Sequence, residues 1–182
     1  MKRLLIILFL IVFVFPAALA QTVENWNGLV VPQNTIFGVH FVIKPGATFG
    51  GLSYKDRTEI DPAVETEFNN EVQRCINAAN SYFRENAITA AKTFHFSPKY
   101  EDRKNLIIFY VKSVSENGDT VADVKIVTSE FLKEATIRDL WGKGGRFGCF
   151  TNLMGDGFES LGEELAKRIN KAVWLHEIEV TE

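Results

Sequence analysis

The residues best suited to acid–base chemistry in this sequence are two histidines and an aspartate in β-rich segments. His40 and His95 lie opposite the large apolar residues of their predicted strands, and Asp123 lies in a third β-rich run. If these strands were neighbours, an imidazole and the carboxylate could meet, as a hydrolase with a general base requires. The other interpretation is that these histidines and His176 are independent and partly exposed. The sequence favours the second interpretation, since it brings no further ligand or base to them.

No spacing in the sequence is typical of a bound metal or cofactor. The chain lacks the zinc-protease His-Glu-x-x-His pattern, the Gly-x-Ser-x-Gly nucleophile elbow, a Cys-x-x-Cys pair and an EF-hand loop. We therefore predict no cofactor and no metal site, and a non-enzymatic role is favoured.

Cys75 and Cys149 are the two thiols of the chain. In an oxidising compartment they could form a disulfide, which would close a loop of about 74 residues and add roughly 3–4 kcal/mol in the chain-entropy model. Cys75 lies on the apolar stripe of a predicted helix, and Cys149 follows a glycine-rich stretch. The alternative is two unpaired thiols that pack as small hydrophobic side chains.

The glycine-rich stretch of residues 142–148 is the strongest candidate for a contact surface. Its backbone N–H groups could hold an anion, but it lacks the Gly-x-x-x-x-Gly-Lys-Ser/Thr spacing of a phosphate loop, and residues 150–155 separate it from the next predicted helix. An aromatic side chain and an arginine on a flexible loop are common contact residues. The candidate binding residues are Trp141, Lys143, Arg146 and Phe147. The alternative is a mobile connection whose glycines serve only as bends.

The elements that would position these residues follow from the spacing of apolar side chains. Residues 35–43 alternate and predict a strand. Residues 47–61 predict a loop, and Asp61 before Pro62 predicts a helix start. From there to about Glu85 an apolar stripe recurs every three to four residues and predicts a long amphipathic helix. Its members are Val64, Phe68, Val72, Cys75, Ala79 and Phe83.

The strongest β signal is a hairpin in the middle of the chain. Residues 105–114 and 120–128 flank a turn with Asn-Gly, and the first arm is apolar on both faces, which predicts a central strand covered on both sides. Residues 92–96 predict a short strand, and residues 131–137 fit either a strand or the start of a helix. The last clear element is a helix over 156–174, with acids in its first turns and bases in its last.

The first twenty residues have the layout of a secretory signal peptide. Lys2 and Arg3 precede an apolar run from Leu4 to Phe15, and Ala18-Leu19-Ala20 supplies the small residues of a cleavage site. This apolar run would span about 18 Å as a helix, less than the roughly 30 Å hydrocarbon core, so a retained anchor is the weaker alternative. We predict cleavage after Ala20, a periplasmic or secreted protein, and no membrane-spanning segment after cleavage.

The composition excludes several functional classes. The first twenty residues of the 182 hold two bases and no acid, so the remainder carries 18 basic and 23 acidic residues, a net charge of −5. This acidic balance argues against nucleic-acid binding, which depends on clustered lysine and arginine. The 162 residues after the signal peptide suit one domain. We divide them into an irregular leader over 21–34 and a single α/β domain over 35–182.

The C-terminal half resembles a group of small bacterial envelope domains. Residues 121–127 carry an alternating strand pattern, and Gly155-Asp156-Gly157-Phe158 leads into the helical pattern of residues 161–169. In these features the chain is similar, over residues 105–174, to domains related to the TolB amino-terminal domain and the curli secretion lipoprotein. The resemblance implies an α/β sandwich used for protein–protein contact in the envelope. The chain lacks the lipidation cysteine of those lipoproteins, so the resemblance does not extend to a lipid anchor.

We therefore expect an α/β (α+β) fold, a two-layer sandwich of a mixed, mainly antiparallel sheet with the helices of 62–85 and 156–174 on one face. The function that fits best is an exported, non-enzymatic envelope or extracellular protein that binds a protein partner through an exposed apolar patch around 141–150. Two alternatives stay open. One is a secreted hydrolase that uses His40 or His95 with a nearby acid. The other is a small-molecule carrier, which needs an enclosed apolar cavity between helices and sheet.

Overall fold

A computed structural model of the chain describes residues 22–88, 90–99, 104–128 and 133–182. The predicted signal peptide and its cleavage site lie outside the described residues, as do Phe131 and Leu132. Among the helices in the described ranges, none is long and apolar enough to cross a membrane.

The described ranges contain both strands and helices. The strands are β1 (Val23–Asn25), β2 (Leu29–Pro32), β3 (Ile36–Phe49), β4 (Leu52–Ser53), β5 (His95–Ser97), β6 (Asn105–Val114), β7 (Thr120–Thr128), β8 (Lys133–Gly142) and β9 (Ile178–Thr181). The helices are α1 (Tyr54–Ile60), α2 (Ala63–Asn86), a short 3-10 helix (Ala91–Thr93) and α3 (Phe150–Trp174).

The large sheet has the strand order β1-β8-β7-β6-β3-β4, and β5 also pairs with β3. β3 runs parallel to β5 and β6, whereas the pairs β6–β7, β7–β8 and β8–β1 are antiparallel. β2 and β9 form a separate parallel pair. α2 and α3 pack against each other and against one face of the large sheet. The predicted fold class, a two-layer α+β sandwich with a mixed, mainly antiparallel sheet and two main helices on one face, is confirmed.

An aromatic cluster fills the space between the helices and the sheet. Phe41 of β3 and Phe109 of β6 stack with their ring centroids 4.4 Å apart, and Phe158 of α3 lies 5.4 Å from Phe41. Phe68 of α2 meets Phe41 and Phe158 edge-on, at 6.4 and 5.6 Å. Such pairs add about 0.5–1.5 kcal/mol each beyond the burial of their surface. The space that a small-molecule carrier would need between helices and sheet is occupied by these rings.

The two long helices approach each other backbone to backbone at one point. A Cβ on Gly162 of α3 would lie 2.0 Å from the carbonyl oxygen of Cys75 on α2, so only glycine fits there. The predicted apolar stripe of α2 is confirmed, because its members are buried or pack against the core: Val64, Phe68, Val72, Cys75, Ala79 and Phe83.

The central hairpin has the predicted arms, β6 and β7. Along β6, Ile107 and Phe109 are fully buried, whereas the alternate residues Leu106 and Ile108 are only half-buried. The prediction of a strand covered on both faces is therefore wrong, because α2 and α3 cover only one of them.

The segment over residues 21–34, which we expected to be an irregular leader, contains strands. β1 adds to the edge of β8, and β2 pairs with β9 near the other end of the chain. Trp26, Leu29 and Val31 are buried, so this part belongs to the core. The prediction fails because strands of three or four residues are too short to show an alternating pattern.

Residues 44–61, which follow the first predicted strand, are more regular than predicted. β3 continues to Phe49 across a bulge between Ile43 and Thr48 instead of ending at Ile43. The expected loop over 47–61 holds the end of β3, then β4 and α1. Every side chain of α1 is at least partly exposed, so this helix has no apolar stripe for the sequence to reveal.

The helix predictions are accurate at three of their four ends. α2 begins at Ala63 with Pro62 as its N-cap, so the predicted cap at Asp61 is wrong by one position, although the Asp61 carboxylate accepts a hydrogen bond from the Ala63 N–H at 3.2 Å. α3 ends at Trp174 as predicted but begins at Phe150, well before Asp156. The predicted strand over 92–96 is a 3-10 turn followed by β5.

Candidate functional site

The loop that joins β8 to α3, residues 143–149, lies at the end of the sheet where β3 and β6 finish. The Gly50 N–H after β3 donates to the Val114 carbonyl of β6 at 2.7 Å, which places these two strand ends together. The turn between β6 and β7 lies at the same end, because its Asp119 carboxylate accepts from the Gly144 N–H at 2.8 Å. The β3–β4 turn, the β6–β7 turn and the loop after β8 therefore lie at the same end of the sheet.

The first half of the loop is firmly held. The Lys143 N–H donates to the Ser160 hydroxyl of α3 at 2.9 Å, and the neighbouring Gly144 N–H is bound by Asp119. A Cβ on Gly144 would lie 1.9 Å from the carbonyl oxygen of Asn117, so the backbone of Gly144 is packed against the β6–β7 turn. The second half of the loop therefore projects from a fixed base.

The four predicted binding residues all expose their side chains. Phe147 is 92% exposed and Trp141, on β8, is 41% exposed. Lys143 and Arg146 are exposed too. Within the described ranges neither cation forms an ion pair.

The loop runs directly into α3. Cys149 is the N-cap of this helix, so residues 150–155 belong to the helix and do not separate it from the glycine-rich stretch. The predicted separation is wrong. A Cβ on Gly157 would lie 1.9 Å from the Gly118 carbonyl oxygen, which explains why a glycine, a poor helix former, stands inside this helix.

The two cysteines do not pair, and both are free thiols. Cys75 of α2 is buried against Gly162 of α3, whereas Cys149 is exposed at the start of α3. Gly162 and Cys149 are 13 residues apart, which is roughly 20 Å along the helix. This separation far exceeds the span of a disulfide. Burial raises the pKa of the Cys75 thiol, and hydrogen bonds from the Thr151 hydroxyl and the Asn152 N–H lower the pKa of Cys149.

In the described ranges no hydrogen bond joins Asp123 to a histidine. His95 pairs with Ile36 at the start of β3, and His40 lies about 13 Å further along β3. The side chain of Asp123 is bound instead by Lys44, Lys112 and the Asp139 N–H. These contacts of Asp123 give the hydrolase alternative no support. In the part of the chain that the structure describes, no group of three or more His, Cys, Asp or Glu side chains is arranged to hold a metal ion.

Asp123 instead belongs to a network of two lysines and two aspartates on the outer face of the sheet. It accepts from the Lys44 ammonium at 3.0 Å and from Lys112 at 3.4 Å, and Lys112 also contacts Asp139 at 2.5 Å. Partial burial opposes ionisation of Asp123, but the hydrogen bonds from the Asp139 N–H and from Lys44 outweigh it and lower the pKa. The hydrogen bond to Asp139 raises the pKa of Lys112. The lowered pKa of Asp123 and the raised pKa of Lys112 keep both groups charged at neutral pH, which suits a structural role better than proton transfer.

The sequence did not reveal this network because its members lie at irregularities in the ladder. The register shifts across Lys44 in β3, across Lys112 in β6 and across Asp123 in β7. Asp139 has a φ of 54°, a left-handed conformation that is unusual for a residue other than glycine. Bulges re-aim side chains out of the regular alternation, so simple alternation could not bring these four together.

Two open grooves lie away from the loop. One, of about 450 Å³, runs beside β9 and is mostly apolar; its lining residues are Ile88, Ala90, Val173, His176, Ile178, Glu179 and Val180. The other, of about 460 Å³, is polar and lies between the exposed faces of α2 and α3, around Arg74, Ser81 and Tyr82. Neither is the enclosed apolar cavity that a carrier requires.

Comparisons with known proteins give only a distant structural similarity. No family model and no curated protein matches the chain. Two solved structures of PelC from Paraburkholderia phytofirmans, both dodecamers and one a single-residue variant, are similar over 80% of this chain. They cover 98% and 96% of PelC, at 12% and 10% sequence identity and a TM-score of 0.34. These values assign no function, and the resemblance to the TolB amino-terminal domain stays a prediction.

Proposed function

We propose that this chain is an exported, non-enzymatic protein of the bacterial envelope or the extracellular space, and that it binds a protein partner through the loop after β8. The observation that carries the proposal is the 92% exposure of Phe147 on a loop whose first half is anchored. The proposed export rests on the layout of the first twenty residues, with cleavage after Ala20.

The energetics of the loop favour a contact role. Burying a phenylalanine side chain is worth about 1.5–3 kcal/mol, so full exposure of Phe147 forgoes this stabilisation in the isolated chain. A partner pocket would recover it. Because hydrogen bonds already fix Lys143 and Gly144, binding would have to order only the second half of the loop. Arg146 beside the aromatic adds a residue type that is enriched at binding hot spots.

The proposal is tested by capture of partners from the native envelope with the exported chain as bait. We expect Phe147→Ala and Arg146→Ala each to reduce capture of the specific partner at least tenfold, since hot-spot truncations cost about 2 kcal/mol or more. Trp174→Ala is the matched control, because this aromatic is 66% exposed at the opposite end of α3. Equal capture by the Phe147 variant and the unmodified chain would overturn the proposal.

A further inference from the structure

Among the described residues, no strand pairs with the outer edge of β8 at its C-terminal end. β1 pairs only with Thr136, Ile137 and Arg138, and the Thr22 hydroxyl donates to the Asp139 carbonyl at 3.2 Å. Beyond these residues, no strand in the described ranges pairs with Leu140–Gly142 on that side. An unpaired edge presents N–H and C=O groups that can accept another strand.

The second open edge belongs to β9, which pairs with β2 on one side and with no described strand on the other. The Thr181 carbonyl accepts from the Gln33 N–H at 2.8 Å, so it faces β2. Because successive residues of a strand direct their backbone groups to opposite sides, Ile178 and Val180 direct theirs away from β2, towards the apolar groove. That groove of about 450 Å³ has Val173 and Ile88 among its walls.

The two edges carry opposite charges. Two exposed cations stand at or just after the β8 edge: Arg138 and Lys143. Three exposed carboxylates flank β9: Glu177, Glu179 and Glu182. None of these five forms an ion pair with another residue of the described ranges. Most other basic residues in those ranges are paired, for example Lys44, Arg74 and Arg168.

We infer that the chain associates head to tail with itself, the β8 edge of one copy pairing with the β9 edge of the next. The cations beside β8 then meet the carboxylates of β9, and the half-exposed Trp141 enters the apolar groove. A two-fold arrangement is disfavoured, because β8 against β8 would place cation opposite cation and β9 against β9 would place acid opposite acid. A head-to-tail contact leaves one free edge at each end of a pair, so further copies can add.

This inference rests on the proposed function, because it assigns a second copy of the chain as the partner of Trp141 and Lys143. Phe147 stays available to a different protein. The variant Phe147→Ala therefore separates self-association from binding of the envelope partner. It is expected to lose capture of the envelope partner and to keep self-association.

The test uses sedimentation velocity of the exported chain over a concentration series at low and high salt. We expect reversible association that weakens with salt, since exposed ion pairs are screened. The double variant Trp141→Ala/Lys143→Glu and the single variant Glu179→Lys are each expected to weaken self-association about tenfold or more. When mixed, they are expected to form a one-to-one heterodimer, because one variant keeps an intact β9 edge and the other an intact β8 edge. Glu65→Lys is the matched control, an exposed charge reversal on α2.

A monomer at every concentration, with capture of an envelope partner intact, would overturn the inference and leave the proposed function standing. Association that neither edge variant weakens, or a mixture that forms no heterodimer, would overturn it as well. Circular dichroism establishes that each variant is folded, and Glu182→Lys replaces Glu179→Lys if the latter does not fold.

Discussion

Arg74 is the clearest single point at which the packing of α2 on α3 can be perturbed. Its guanidinium donates to Asp156 at 2.9 Å and Glu159 at 3.0 Å on α3, and lies 3.5 Å from Glu71 on its own helix. Glu71 is only 4% exposed. A Cβ on Gly155 would lie 1.9 Å from Arg74 and 2.4 Å from Glu71, so both side chains press against the backbone of α3.

Replacing Arg74 with alanine removes two half-exposed ion pairs and leaves a buried carboxylate without its cation. The exposed pairs contribute about 0.2–1 kcal/mol each. An unpaired buried charged group costs about 1–3 kcal/mol, or more where it is fully desolvated. We therefore expect Arg74→Ala to lower the free energy of unfolding by about 2–4 kcal/mol at pH 7. For a chain of this size that corresponds to a fall in Tm of roughly 4–16 °C.

The loss should depend on pH in a defined direction. Burial raises the pKa of Glu71, and Arg74 acts against that rise. Removing Arg74 raises the pKa of Glu71 further, so the folded variant favours the protonated Glu71 carboxyl. The stability gained from this protonation is fully present below the pKa of Glu71 in the unfolded chain. It is lost as pH rises through the pKa of Glu71 in the folded chain. The penalty of Arg74→Ala is therefore expected to be largest at neutral pH, to shrink as pH falls through the raised pKa of Glu71, and to be smallest below pH 4.5, the ordinary value for this group.

Chemical denaturation of the unmodified chain and the variant at pH 7 and pH 4 provides the measurement. The double variant Glu71→Gln/Arg74→Ala is the control, because an amide buries no charge, and we expect it to recover at least half of the loss at pH 7. A penalty that is the same at both pH values, or a double variant no more stable than Arg74→Ala, would refute the reasoning.

Three further predictions follow from the packing and the network on the sheet. Gly162→Ala should force α2 and α3 apart and lower the thermal midpoint by several degrees, because its Cβ would meet the backbone of Cys75 at 2.0 Å; an unchanged midpoint contradicts this. Thiol labelling of the native protein should modify Cys149 rapidly and Cys75 only after unfolding; a native protein that labels at both sites argues against the described burial. Asp123→Asn should destabilise the fold at pH 7 by about 1 kcal/mol, and this difference should fade as pH falls through the lowered pKa of Asp123; urea titrations at pH 7 and pH 3 that give equal differences exclude the structural role.

The parts of the fold that the sequence predicts are those with enough consecutive apolar residues to define a period. α2 has six stripe positions over more than five turns, and the two arms of the hairpin alternate on either side of an Asn-Gly turn. In both cases local spacing and the final packing agree, which is why even the boundaries are accurate.

The parts of the fold that the sequence does not predict depend on contacts between segments far apart in the chain. β2 is four residues long and is a strand only because β9 lies beside it, so neither segment shows the pairing alone. The first turns of α3 contain Gly155 and Gly157, which look like a loop but fit against Arg74 and Gly118. The network around Asp123 depends on bulges, and a bulge changes which residues share a face.

The candidate site shows the same division. Residue types predict Trp141, Lys143, Arg146 and Phe147 as contact residues, and in the structure all four are exposed. The anchoring hydrogen bonds to Ser160 and Asp119, and the open edges of β8 and β9, involve partners far away in the sequence and required the fold.

The central claim, that the chain binds another protein through the loop after β8, is tested most directly by site-specific photocrosslinking in the native envelope. A photoreactive phenylalanine analogue placed at Phe147, and separately at Trp174 as the control, reports what lies against each exposed aromatic position. We predict one discrete protein adduct from position 147 that is absent from position 174. No adduct at 147, or the same adducts from both positions, would contradict the claim.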